Sequence, residues 1–344
     1  MSAAEDETAE ALHPRASAVL AGHALAEVAL LAAYRSGRMP HGFLLVGARG
    51  IGKATLAYRL ARFVLAHPDA AAAEVAAATS LAVDPAHPVA RRIAAQAHGD
   101  LLVLERATNE KGVLRQQIAV EDVRRTVSFF GSTAGEGGWR IAIVDAVDEL
   151  NRFSANALLK VLEEPPQRSL LLLVSHSLAR VTPTLRSRCR IVTLRPLAQA
   201  EVAAALAAAM QRPQSDPQLA AVAAAADGSV ERALALLDAD ALALRQQALA
   251  VLDALPALDA NALHAIGDAI AGTDPQPLAA FIDTVNAWLS RRLETNAGEV
   301  ARLARLAEAW PRINQAARDA VEYNLERKPL VFSVFGLLAE ATRG

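Results

Sequence analysis

Three stretches of the 344-residue chain carry side chains that could do chemistry together. The first, Gly47-Ala48-Arg49-Gly50-Ile51-Gly52-Lys53, places three glycines ahead of a lysine. Such a backbone can curl so that successive N–H groups point inward at phosphate oxygens, and Lys53 would then reach the terminal phosphates. The second, Trp139-Arg140-Ile141-Ala142-Ile143-Val144-Asp145, is an apolar run closed by a carboxylate. It has the composition of a buried parallel strand that brings Asp145 to the edge of a sheet. The third, Pro183-Thr184-Leu185-Arg186 followed by Ser187-Arg188-Cys189, is a turn that bears arginines.

These groups need elements to hold them. Phe43-Leu44-Leu45-Val46 reads as a short buried strand directly before the glycines, and residues 55–65 read as a helix directly after. Strand, glycine-rich loop and helix in that order are the context of a phosphate-binding loop, with the positive helix N-terminus adding to the site. Beyond Asp145, residues 154–164 form an amphipathic helix with Leu158, Val161 and Leu162 on one face, stopped by Pro165-Pro166. Ser169-Leu170-Leu171-Leu172-Leu173-Val174-Ser175 is a second buried strand. Strand, helix and strand imply a right-handed crossover in a parallel sheet, whose ligands sit beyond the carboxyl ends of the strands. Asp145 and Ser175 are therefore expected near one site. The residues alone leave open whether Asp145 faces a ligand or caps the next turn.

The catalytic equipment is incomplete. A working loop carries Ser or Thr after the lysine to ligate magnesium, and here that residue is Ala54. Thr55 comes one residue late, a rotation of about 100° on a helix. An active ATPase of this architecture also has a glutamate after the strand aspartate to polarise water; here Ala146 stands there, with Asp148 and Glu149 out of register. Metal ligation and water activation are missing together.

Residues 100–105 read as a strand, 108–112 as a turn and 118–130 as a helix whose Arg124 and Arg125 form a solvated face. Residues 11–40 read as a helical region with Leu25, Val28, Ala29 and Ala32 at helical spacing. His67, His87 and His98 lie in an alanine- and proline-rich stretch and read as solvated loop histidines rather than metal ligands. After Pro196 the pattern is helical only. Residues 199–210, 218–226 and 229–237 make a small domain, and amphipathic segments from about 244 onward carry Trp288, Trp310, Tyr323, Phe332 and Phe335 as expected core.

Composition bounds the class. With 53% hydrophobic and 4% aromatic residues, the chain is alanine-rich, mainly helical and long enough for two or three domains. Charges interrupt every apolar stretch before about 18 residues, so no membrane span is expected. The acidic start lacks the features of a signal peptide, and a cytoplasmic location is the expectation. Cys189 is the single cysteine, so no disulfide framework and no zinc site built on cysteines is expected. A net charge of −2 argues against a main task of gripping a phosphate backbone; any DNA contact is local or shared with partners.

The loop, the Asp145 strand, the run Asn156-Ala157-Leu158-Leu159-Lys160 with Leu162-Glu163-Glu164-Pro165-Pro166, and Leu185-Arg186-Ser187-Arg188-Cys189 together resemble the AAA+ subunits of the bacterial replicative clamp loader. The resemblance covers roughly residues 13–240. It implies an α/β fold: an AAA+ P-loop domain with a parallel sheet over residues 1–196, a small helical lid over 197–243 and an all-α collar over 244–344. In that family the gamma and tau motor subunits keep the magnesium hydroxyl and the glutamate; the delta-prime branch lacks them, and this chain is similar to that branch. Many members carry a four-cysteine zinc module that is missing here, so no zinc is expected.

The resemblance also implies a role. Arg188 matches the arginine that reaches the ATP of a neighbouring subunit, the other reading being a pair with an acid of its own domain, while Gly47, Gly50, Gly52, Lys53, Asp145 and Ser175 match a nucleotide site that could hold ATP or ADP as a structural ligand. The position that carries a phosphate-sensing arginine in motor lids is Glu231, with Arg232 next to it. Implied partners are gamma or tau, the delta subunit and, through the complex, the sliding clamp and primer-template DNA, with no membrane. Two other readings remain at this point: a self-sufficient AAA+ ATPase that recruits Asp148 or Glu149 as base, and a P-loop nucleotide kinase, for which the helical C-terminal half offers no second substrate site.

Overall fold

The computed structural model describes residues 13–106, 118, 120–131, 138–295 and 300–343. The turn expected at 108–112 lies outside the described residues. The chain divides into two compact units, residues 1–234 and 235–344.

The first unit is built on a five-stranded sheet of β1 (Gly42–Val46), β2 (Leu101–Glu105), β3 (Arg140–Asp145), β4 (Ser169–Ser175) and β5 (Arg190–Thr193). The strands run parallel in the order β2-β3-β4-β1-β5. Register puts Val46 beside Ser175 and Thr193, and Asp145 beside Glu105 and Val174, so all carboxyl ends share one edge. β1 and β4 are buried along their whole length, which is why they read as uninterrupted apolar runs. β5 is an edge strand and mostly exposed; four residues that begin with an arginine carry too little apolar pattern to announce a strand.

Helices cover both faces of the sheet. α1 (Ala24–Arg35), α2 (Lys53–Ala66), α3 (Ala73–Ala77) and α4 (Pro88–Ala94) share a core with Phe43, Leu45, Ile141, Ile143, Leu170 and Leu172. α5 (Val120–Gly131), α6 (Arg152–Glu163) and α7 (Pro183–Arg186) lie on the other side, with Leu44, Ala142, Val144, Leu171 and Leu173. The alternation of strand residues between the two cores follows from the two-residue period of a strand. α8 (Gln199–Met210), α9 (Pro217–Ala225) and α10 (Val230–Ala235) follow β5.

Two expectations are corrected here. The stripe Leu25, Val28, Ala29 and Ala32 points outward, with Leu25 89% exposed, while Leu30, Leu31, Ala33 and Tyr34 are buried. Alanines and leucines fill both faces of α1, so periodicity alone could not say which faced the sheet. The three histidines are not simply solvated. His98 is buried and its Nδ1 accepts the Asp100 N–H, His87 caps α4 by accepting the Val89 N–H, and His67 packs against Phe63.

The second unit consists, among the described residues, of α11 (Ala239–Asp253), α12 (Ala260–Ile270), α13 (Pro275–Thr295), α14 (Val300–Glu322) and α15 (Lys328–Thr342). Phe281, Trp288, Ile313 and Phe335 anchor its core. Asn286 and Asn314 exchange amide hydrogen bonds of 3.0 and 2.9 Å between α13 and α14, fixing their register. Tyr323, expected in the core, is 66% exposed, because it follows the end of α14 rather than lying on its packed face. Among the described residues, no helix is long and apolar enough to cross a membrane.

Candidate functional site

The glycine loop leaves β1 at the carboxyl edge of the sheet and enters α2 at Lys53. The Gly47 N–H donates to Ser175 O at 3.3 Å, so the end of β4 holds the start of the loop. Gly50 adopts φ +73°, a left-handed conformation that glycine takes without strain. A Cβ there would also lie 2.3 Å from Ser229 Oγ and 2.5 Å from Glu231 Cβ. The absent side chain thus leaves room for the N-terminus of α10. Val230 and Glu231 donate their N–H groups to Gly50 O at 2.9 and 3.4 Å, and Arg49 pairs with Glu231 at 3.0 Å. His23 Nε2 lies 2.7 Å from Ile51 O on the other flank.

Lys53 is almost fully buried and donates to Ala48 O within its own loop. Burial pushes its pKa down to about 8, against the pull of Asp145, Asp148 and Glu231. Asp145 is driven up to about 6 by burial, opposed by Lys53 and reinforced by Glu149, Glu105 and Glu231. The neighbourhood therefore sets Asp145, Asp148 and Glu231 around Lys53, with Arg49 as a second cation. The loop and lysine fit a polyphosphate; Ala54 offers no side-chain oxygen to a magnesium ion.

The acids after β3 are engaged structurally. Asp148 accepts the His176 N–H at 2.9 Å, and Glu149 pairs with Arg106 at 2.7 Å. His176 is held down at about 4 by burial and by Lys53, so it is neutral at physiological pH; its Nδ1 is buried without a hydrogen-bond partner. Ser175 closes β4 with its hydroxyl donating to Ser177 O at 3.1 Å, so that side chain serves its own turn. Asp145 and Ser175 end neighbouring strands, with only the backbone of Ser175 touching the loop.

Replacing Asp145 by asparagine should raise stability at pH 7.5 and leave it nearly unchanged near pH 4. The ordinary value is 3.8, and the folded value is higher. As pH rises between the two, the unfolded chain loses its proton first, and folded-state stability falls. Above about pH 6 the penalty reaches roughly 2–3 kcal/mol, which the variant escapes. Thermal unfolding of both proteins from pH 4 to 8 should show a gap opening over that window; a pH-independent gap would refute it.

Arg188 is elsewhere. It follows α7 and precedes β5, at the amino edge of the sheet, whereas Lys53 lies past the carboxyl edge. The five residues of β1 separate those levels by about 15 Å. Its side chain is 37% exposed. Nη2 pairs with Glu163 Oε1 at 2.7 Å, while Nη1 donates to Thr184 O at 3.1 Å and lies 3.5 Å from Ser187 Oγ. The arginine thus has an acid of its own domain as partner, at the surface rather than in the core. Nothing in the spacing of residues 163 and 188 foretold that pair, nor the one between Arg49 and Glu231; both join elements far apart in sequence.

Residues 23–198, just over half of the chain, match the family model described as DNA polymerase III, delta subunit. The chain belongs to that family. Among relatives, DNA polymerase III subunit delta' of Pseudomonas aeruginosa is 38% identical over 149 residues, 43% of this chain and 41% of that one. Subunit delta' of Escherichia coli K12 is 31% identical over 211 residues, 61% and 58% of the two chains. Subunit tau/gamma of Haemophilus influenzae is 29% identical over 229 residues, 65% and 31%. The aligned part thus spans between 31% and 58% of these relatives' lengths. Within this family, the relatives named delta' agree with the delta-prime branch read from Ala54 and Ala146.

Proposed function

We propose that this chain acts as the delta-prime-type subunit of a DNA polymerase III clamp loader: an AAA+ scaffold that lends Arg188 to the ATP site of a neighbouring gamma or tau motor subunit. The observation that carries this reading is the place of Arg188, exposed at the amino edge of the sheet, a strand's length from its own phosphate loop. From there it can serve a phosphate on an adjoining protomer and not one held by Lys53. The helical second unit supplies the collar, and delta, the sliding clamp and primer-template DNA complete the assembly.

Its own loop works as a structural nucleotide site, for ATP or ADP, at most. Ala54 leaves no side-chain ligand for magnesium, Ala146 no base, and Asp148 and Glu149 are tied to His176 and Arg106. Those ties speak against a self-sufficient ATPase that recruits either acid. Purified chain should release no phosphate from ATP, and turnover at about 1 s⁻¹ or faster, the scale of working enzymes, would refute the reading. Adding the chain to motor and delta subunits should restore clamp loading on primed DNA.

Lys53→Ala should leave ATP turnover by the assembled complex near the parent value. Its ammonium is spent on Ala48 O and on balancing its own domain's carboxylates, so only local stability should change. A loss comparable to that of an Arg188 variant would show that this loop works chemically.

A further inference from the structure

We propose that Glu163 is a positioning residue for Arg188: its carboxylate holds the guanidinium in the pose presented to the neighbouring protomer. The inference rests on the reading of Arg188 as a group acting in trans. Glu163 Oε1 takes Nη2 at 2.7 Å, and Thr184 O and Ser187 Oγ take Nη1. Nε and one proton of Nη2 are left for a phosphate.

The two partners differ in how they are held. α6 is capped by Asn151, which accepts the Ser154 N–H at 2.9 Å, is anchored in the core by Leu158, Val161 and Leu162, and meets Pro165 just past its end. Glu163 therefore stands on a rigid element, whereas Arg188 stands on a short turn. A flexible arginine has about 2 kcal/mol of rotamer entropy to lose on being placed, and a fixed carboxylate removes part of that loss in advance.

Stability does not explain the pair. With 37% and 48% of the two side chains exposed, it contributes about 0–1 kcal/mol to folding. A carboxylate in the last turn of a helix also faces the negative end of the dipole, at a cost of about 0.3–1 kcal/mol. Lys160 already supplies the cation this helix end favours. What Glu163 adds is direction.

The test is a four-member cycle in the reconstituted loader: parent, Glu163→Gln, Arg188→Ala and the double variant, with Glu163→Asp as the conservative control. ATP turnover is followed against ATP concentration, together with assembly by size-exclusion chromatography and the Tm of the chain. The expected result is a fall of kcat of about tenfold in Glu163→Gln with KM, assembly and Tm unchanged, since misplacing a catalytic group by an ångström or less costs on this scale. Glu163→Asp should recover part of the loss, and the double variant should match Arg188→Ala alone. An unchanged or raised kcat in Glu163→Gln, a loss of assembly, or a further loss in the double variant would each overturn the proposal. Full activity in Arg188→Ala would overturn the trans-acting reading itself, and this inference with it; an inactive Arg188→Ala beside a fully active Glu163→Gln would overturn the positioning role only.

Discussion

On the trans-acting reading proposed above, Arg188→Ala should lower ATP hydrolysis at the neighbouring site by about 10³-fold or more while leaving the assembly intact. The magnitude follows from what a guanidinium does on a transferring phosphoryl group: it neutralises charge that builds up on the phosphate oxygens in the transition state, where water is excluded and screening is weak. The side chain is surface-exposed and its ion pair adds little to folding, so the truncated chain should fold and bind its partners normally. Steady-state turnover with the sliding clamp and primed DNA, alongside size-exclusion of the complex, checks both halves. Unchanged turnover would show that Arg188 only ties α7 to α6.

The second large effect is expected at Gly50. Gly50→Val should destabilise the first unit by about 2–5 kcal/mol, the sum of about 1–2 kcal/mol for a left-handed residue with a side chain and about 1–3 kcal/mol for overpacking. The new Cβ would meet Ser229 Oγ at 2.3 Å and Glu231 Cβ at 2.5 Å, and valine cannot turn away from either. Relief requires α10 to lift off the loop, breaking the bonds from Val230 and Glu231 to Gly50 O. Chemical denaturation should show an earlier transition, with a smaller loss for Gly52→Ala, where the nearest neighbour of a Cβ is 3.8 Å away. Equal effects at the two glycines would mean that the lid contact carries no weight.

How far the fold was legible varied with how the residues are buried. β1, β3 and β4 could be read because each is enclosed on both faces, and the glycines and prolines around them punctuate the pattern. α8 matched its expected span from residue to residue, since it lies between Pro196-Leu197 and the break at Gln211. The helical spacing in α1 could not tell which face packs, because a helix rich in alanine and leucine has apolar residues on both sides. β5 and the short α3 and α4 were missed because elements of four to seven residues hold too few side chains to show a period.

The candidate site divided similarly. The glycines and Lys53 lie between β1 and α2, and their order in the chain could be read because a strand-loop-helix unit is local. The pairs that set the electrostatics, Arg49 with Glu231 and Arg188 with Glu163, are long-range, and a single sequence offers no signal that joins them. Residue types alone marked what the site lacks, at Ala54 and Ala146; only coordinates show what takes up the slack.

The bonds from Val230 and Glu231 to Gly50 O, the pairing of Arg49 with Glu231 and the turn of Lys53 onto Ala48 O tie the glycine loop to residues of its own unit. Ligand-linked stabilisation grows with the logarithm of ligand concentration over its dissociation constant, and a phosphate that draws on Lys53 must compete with its bond to Ala48 O. On the proposed reading, a shape held by such internal bonds would stay constant while the motor members of the ring open and close with their fuel.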